Sequence, residues 1–263
     1  MRRSQAGQAT IEWSALLLAL VFALAALTVV VARTEAWGLG ERIVHALTCA
    51  VEGGCDERDS LDLAYGGELA DAVRSHAPNI VYERRSAALP IDFRRCRETE
   101  CSDGPAAPRA IDRSNSGLPV TAFTRVLDRR ERGGALYIQY WFYFPESFTG
   151  GIGRIFGDKW PGYHPDDWEG YQVRVSAGGA VTARASAHGE YASEWSASAG
   201  WYRVSGGSHA GHVVDAPGGE RVTRASNLAL VPLERLGSTG RYSFAVTPPW
   251  LKDVYTLPES ASS

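Results

Sequence analysis

Hydrophobic positions follow two different patterns along the chain. From Ala15 to Ala32 there are eighteen residues without a charge. As a helix this run is roughly 27 Å long, enough to cross a hydrocarbon core. From Ala77 onward the apolar residues come in short blocks or in alternation, separated by Gly, Pro, Ser and Asp. That is the pattern of many short strands joined by turns. Strands are predicted near 80–82, 120–127, 135–144, 168–176, 180–186, 201–204, 212–214, 221–224, 228–233 and 241–246. Residues 89–93 read as extended, because Pro90 bars a helix before it. Residues 102–118 are rich in Pro, Gly, Ser and Asp and read as a surface loop.

Two neighbouring stretches dominate. The first is Leu136 to Phe144, nine mostly aromatic and branched residues stopped by Pro145. The second opens with His164-Pro165-Asp166-Asp167-Trp168-Glu169 and turns into an alternating strand. Tyr171, Val173 and Val175 share one of its faces; Gln172 and Arg174 share the other. If the strand already holds at Asp167, both Asp167 and Glu169 fall on the face of Tyr171. Two carboxyls facing inward need compensation, because an unpaired buried charge is very costly. A bound cation, an Arg or a protonated carboxyl would each serve. Ion pairs with Arg174 or Arg203 are the purely structural alternative.

The pattern predicts a mainly β protein: an antiparallel β-sandwich preceded by one N-terminal transmembrane helix. Three segments follow: 1–33 as leader and transmembrane helix, 34–76 as a helical stalk or linker, and 77–263 as the sandwich. A short helix around Leu69, Ala72 and Val73 is expected to stop at Pro78. Arg2 and Arg3 precede the apolar run, so the positive-inside rule keeps the N-terminus in the cytoplasm and exports the rest. The expected location is the cell membrane, single pass, with the C-terminal domain extracytoplasmic.

Composition sharpens this picture. Eight Trp and eleven Tyr favour an aromatic-packed sheet domain over a helical bundle. A formal net charge of −3 gives no broad basic surface, which argues against nucleic acid as a partner. The four cysteines form two close pairs, Cys49 with Cys55 and Cys96 with Cys101. Neither spacing is that of a zinc ribbon, and in an exported domain paired cysteines read as disulfides. Three connectivities exist; local pairing, 49–55 and 96–101, is the expected one.

The segment Gly7-Gln8-Ala9-Thr10-Ile11-Glu12-Trp13 ahead of the apolar run resembles the leader of type IV pilins. It is most similar to the short TadE-like and Flp-like pilins of Tad secretion systems. The resemblance implies cleavage between Gly7 and Gln8. It also implies a role for Glu12, the fifth mature residue, in pairing with a neighbour's amine during assembly. It covers residues 1 to roughly 40 and implies pilin-like assembly partners.

A second resemblance covers roughly residues 77–235. His76-Ala77-Pro78, Tyr82, Leu89-Pro90, the Tyr-Trp-Phe-Tyr-Phe-Pro strand, His-x-x-Asp-Trp-Glu and Gly207-Ser208-His209-Ala210 occur in that order. Together they resemble the domain of vacuolar protein sorting-associated protein sixty-two. Two of these elements are also similar to the necrosis- and ethylene-inducing-like β-sandwich cytolysins. That likeness implies a divalent cation held beside a headgroup site, with His164, Asp167 and Glu169 as ligands. Here Tyr163 replaces the toxins' Gly, Pro165-Asp166 replaces Arg-His, and Ser147 stands where the toxins complete the metal site with Asp. These departures argue against cytolysis. His209, in a Gly-rich loop, is a further candidate ligand. Oxygen and imidazole donors would suit Ca²⁺, Mg²⁺, Mn²⁺ or Zn²⁺.

The expected function is therefore a membrane-anchored module that binds a glycan or lipid headgroup through a cation site. One alternative is a minor pilin-like or adhesin component; another is a metal-dependent envelope hydrolase. The sequence has no Gly-x-Ser-x-Gly motif, phosphate loop or Cys nucleophile, so binding is expected over catalysis.

Overall fold

The computed structural model describes residues 57–83, 88–107, 110–148, 162–187, 189–217, 221–236 and 242–256. The expectations for Gly7, Gln8, Glu12, the apolar run 15–32 and the pair Cys49 and Cys55 lie outside the described residues. Among the described residues no helix is long and apolar enough to cross a membrane.

Residues from Glu57 onward form one compact unit. It opens with two helices, α1 (Glu57–Tyr65) and α2 (Gly67–Ser75). The sequence places them in a stalk, but they belong to the domain. Leu61, Ala70 and Val73 are buried in its core. Tyr65 Oη donates to the Thr124 carbonyl at 2.6 Å, and Tyr140 Oη to the Val73 carbonyl at 2.7 Å. Long phenol side chains thus tie the helices to the sheet.

Twelve strands follow among the described residues. They are β1 (Asn79–Tyr82), β2 (Pro105–Ala107), β3 (Ala110–Ser114), β4 (Thr121–Asp128), β5 (Leu136–Ser147) and β6 (His164–Val175). Then come β7 (Val181–Ala187), β8 (Glu190–Tyr191), β9 (Trp201–Val204), β10 (Gly211–Val213), β11 (Arg221–Thr223) and β12 (Ala229–Pro232). One sheet has the order β12-β4-β5-β6-β7-β8 and another β10-β9-β1-β11. Ile80, Tyr82, Tyr202 and Val204 of the four-stranded sheet share one core with Ile138, Tyr140, Phe142, Phe144, Tyr171 and Val173 of the six-stranded sheet. Two sheets facing one core is the arrangement of a sandwich. The sheets are not purely antiparallel: β1 pairs parallel with β9, and β12 parallel with β4. Both exceptions arise where the chain returns from one sheet to the other.

Two local expectations are corrected. The loop predicted at 102–118 contains the antiparallel pair β2–β3. The strand predicted at 241–246 does not form: 242–246 is irregular and packs its aromatic side chains instead. Phe244 and Tyr242 meet Phe93 edge-on with centroids 5.3 and 5.1 Å away. The apolar residues there mark burial, not a ladder.

The β5–β6 pair is regular over its length, with Leu136 opposite Val175 and Ser147 opposite His164. Both faces of this pair are covered. The inner face meets the other sheet. The second face carries Trp141, Tyr143 and Trp168 into an aromatic layer with Phe93, Phe123, Tyr191 and Tyr255. Gly170 lies opposite Trp141, and a Cβ there would stand 2.4 and 2.8 Å from ring atoms of that indole. The absent side chain is the space the indole fills. Gly170→Ala should destabilise the domain by about 1–3 kcal/mol through overpacking. Chemical denaturation of the two proteins checks this; an unchanged midpoint would contradict the packing.

Candidate functional site

The first residues of β6 carry three carboxyls, and the two-residue period of the strand divides them. Asp166 points with Trp168 to the second face; Asp167 and Glu169 point with Tyr171 to the inner one. All three are buried.

Asp166 is held through both of its carboxylate oxygens. Its Oδ1 and Oδ2 both accept from Arg97 Nη2 at 2.7 Å. Tyr143 Oη donates to Oδ1 at 2.8 Å, and the Ala245 N–H to Oδ2 at 2.8 Å. Arg97 lies inside the loop closed by the Cys96–Cys101 disulfide and also stacks its guanidinium 4.7 Å from the centre of Phe244. A buried carboxylate with this many donors is fully compensated. It holds the backbone of Asp166 at φ 58°, a left-handed conformation that costs an ordinary residue about 1 kcal/mol.

Asp167 is compensated differently. His209 Nδ1–H donates to its Oδ2 at 2.9 Å, and both side chains are nearly fully buried. The loop between β9 and β10 makes this contact. Ser205 N–H bonds the Ala210 carbonyl at 3.0 Å to close it, and Phe148 N–H bonds the Gly207 carbonyl at 2.8 Å to anchor it to the end of β5. The His209 ring stacks flat on Phe144, with centroids 4.0 Å apart. Its φ of 54° makes it, with Asp166, one of two non-glycine residues with positive φ among those described. Strain of this kind concentrates at functional sites. His164, half-exposed at the rim, has Nε2 4.0 Å from Asp167 Oδ1. Asp167 therefore sits between two imidazoles, one buried and one facing solvent. Nδ1 of His209 is thus taken up by the carboxylate, and Nε2 is its other ring nitrogen.

Glu169 is compensated in a third way. Gly170 N–H donates to Ser186 Oγ at 2.6 Å, and Ser186 Oγ–H donates to Glu169 Oε2 at 2.6 Å. Burial, and then the charge of Asp167, push the Glu169 carboxyl well above the usual carboxylate range. Nearby Lys252 is pushed down by its own burial and held up in part by Glu169 and Asp167. Tyr202, stacked on Phe142 at 4.9 Å, has its phenol pushed up by burial and then by the same two carboxyls.

Sequence reasoning brings forward His164, Asp167, Glu169 and His209. The structure places His209 against Asp167, His164 at the rim beside it, and Glu169 turned to Ser186. The four do not gather into one ligand set, and no group of three or more His, Cys, Asp and Glu close enough to hold a metal exists among the described residues. The structural alternative is absent as well: Arg203 is near Glu83 at 3.8 Å and Arg174 lies over Trp195. Ser186, Tyr202 and Lys252 were not legible as neighbours of Glu169. They come from three other elements and carry no motif. Arg97 could have been suspected from its place between two cysteines.

Comparison of the chain with family models, with curated proteins and with solved structures finds no match. The two resemblances therefore rest on the motif residues alone.

The state of Glu169 has a measurable consequence. In the folded protein this carboxyl keeps a proton that the unfolded chain releases near pH 4.5. Stability falls as pH rises above that point and levels off once the raised folded value is passed, by up to about 1.4 kcal/mol per pH unit. Glu169→Gln keeps an acceptor for Ser186 but cannot ionise. Its melting temperature should fall less than that of the wild type over this window. Parallel pH curves for the two proteins would contradict the assignment.

Proposed function

We propose that this chain is a membrane-anchored binding module, displayed outside the cytoplasm behind a pilin-like leader. Its ligand would be a glycan or a lipid headgroup, recognised at the sandwich rim formed by His164, Asp167 and His209. The observation that carries the reading is the Asp167 carboxyl between two imidazoles, with His209 held in left-handed backbone to reach it. A carboxylate and an imidazole nitrogen supply acceptors, and a second imidazole supplies a donor or acceptor, the set that hydroxyl groups pair with. Recognition is assigned in this reading to these side chains directly, without a cation. Gly7, Gln8 and Glu12 support the display role, with a Tad-type assembly as its setting.

Surface plasmon resonance on the immobilised chain, with a glycan library and with phosphatidylcholine vesicles carrying a glycosylated ceramide, tests this. At least one ligand should bind. His164→Ala and Asp167→Asn should each weaken it by about tenfold, the loss of one good polar contact. EDTA should leave binding unchanged. A ligand that both variants bind as well as the wild type would move the site elsewhere.

A further inference from the structure

The second face of the six-stranded sheet contains a buried polar row that an aromatic core has no need of. Gln139 on β5 is opposite Gln172 on β6, which is opposite Arg184 on β7. All three are at most 2% exposed. Each amide is oriented by a bond it makes: Gln139 Nε2 donates to the Tyr255 carbonyl at 2.6 Å, and Gln172 Oε1 accepts from Arg184 Nε at 2.8 Å. That leaves Gln139 Oε1 and Gln172 Nε2 without hydrogen-bond partners among the described residues. Trp141 Nε1 and Tyr191 Oη, in the same layer, have none either. Buried polar atoms left unpaired are rare and costly, and so many on one face call for an occupant.

The surroundings specify its chemistry. The two residues are cross-strand partners, one with an unpaired amide oxygen and the other with an unpaired amide nitrogen, so one hydroxyl could donate to the first and accept from the second. Trp141 and Tyr191 pack against each other beside this row, with centroids 5.4 Å apart. The Arg184 guanidinium lies 4.7 Å over Tyr191 and 4.5 Å over Trp195. Amides, a guanidinium and aromatic faces together suit a sugar ring, which offers hydroxyls at its edge and apolar C–H groups on its face.

The place is filled by the chain itself. A 3₁₀ turn (Pro249–Leu251) leads into the short helix α3 (Asp253–Thr256). The Tyr255 ring meets Trp141 edge-on at 4.6 Å and Tyr191 edge-on at 5.0 Å. Upstream, Trp250 is fixed on Trp168 at 5.0 Å. Between the two anchors, Leu251 is 65% exposed, and the Lys252 and Tyr255 N–H groups bond carbonyls within the segment.

We propose that Gln139, Gln172, Arg184, Trp141 and Tyr191 form a closed slot for a neutral saccharide unit, and that Lys252–Thr256 is a strap whose Tyr255 occupies it. The slot is separate from the His164–Asp167–His209 rim and stands whether or not the rim binds a ligand. A sugar enters by displacing Tyr255, so apparent affinity is reduced by the fraction of time the strap is closed. Removing the ring relieves that penalty.

The test follows tryptophan fluorescence of the full chain in phospholipid nanodiscs during titration with cellobiose, maltose and N,N′-diacetylchitobiose. Tyr255→Ala should bind at least one of them about tenfold or more tighter than the wild type. Tyr255→Ala with Gln172→Leu should lose that gain, and His164→Ala should not affect it, so a failure of the rim is read separately. A folded Tyr255→Ala protein with no saturable response to any of the three overturns the proposal and leaves the unpaired atoms to buried water. Should Tyr255→Ala not fold, hydrogen exchange on the wild type decides. The Asp253–Thr256 amides should exchange faster with excess disaccharide, and unchanged exchange overturns the proposal.

Discussion

A strand buried on both faces has no wet side on which to leave a charge, and β6 begins with three carboxyls in that position. Asp166 is closed by Arg97, Tyr143 and the Ala245 N–H. Asp167 is closed by His209. Glu169 is closed by Ser186 and by keeping its proton. The alternation that normally sorts polar from apolar side chains instead sorts carboxyls into two compartments, each with its own means of compensation. The remainder of the domain can be read as what these solutions require: a disulfide-closed loop that carries Arg97, a tight β9–β10 loop that carries His209, and an irregular C-terminal region that reaches back over the sheet.

These compensating groups come from far along the chain. Arg97 precedes β6 by four strands, β2 to β5; His209 follows it between β9 and β10, and Ala245 follows β12. None of the three carboxyls accepts a hydrogen bond from another residue of β6, so the site exists only in the finished fold. Both left-handed residues, Asp166 and His209, lie where such long-range contacts converge. Tertiary contacts sustain a backbone conformation there that the local chain would not choose.

Much of the sheet was legible because its signal is local. The period-two pattern and the aromatic block at 136–144 located β5 and the body of β6, and Asp167 and Glu169 fall with Tyr171 as the alternation requires. The need to compensate two inward carboxyls was also legible; the means was not. A protonated Glu169 depends on the depth of burial and on Ser186, and neither is written in the spacing of β6. The helices α1 and α2 were assigned to a stalk because amphipathic helices look alike whether they pack on their own domain or lead to it. The run at 241–246 looked like a strand because aromatic residues mark burial as readily as pairing. Its backbone serves Asp166, through the Ala245 N–H, in place of a neighbouring strand.

The functional reading follows from the same constraint. Groups that compensate one another inside leave the half-exposed imidazole of His164 at the rim of the inner compartment, beside Asp167 and His209. On the other face, Gln139 and Gln172 each keep one buried amide atom without a hydrogen-bond partner among the described residues. The most direct measurement is a carbon-detected NMR titration of the Glu169 side-chain carboxyl in the folded protein. The account predicts that this carbon keeps the chemical shift of a protonated acid well above the ordinary glutamate value of 4.5. A midpoint at that ordinary value would mean that the inner compartment stabilises the Glu169 anion as well as water does, and would contradict the account.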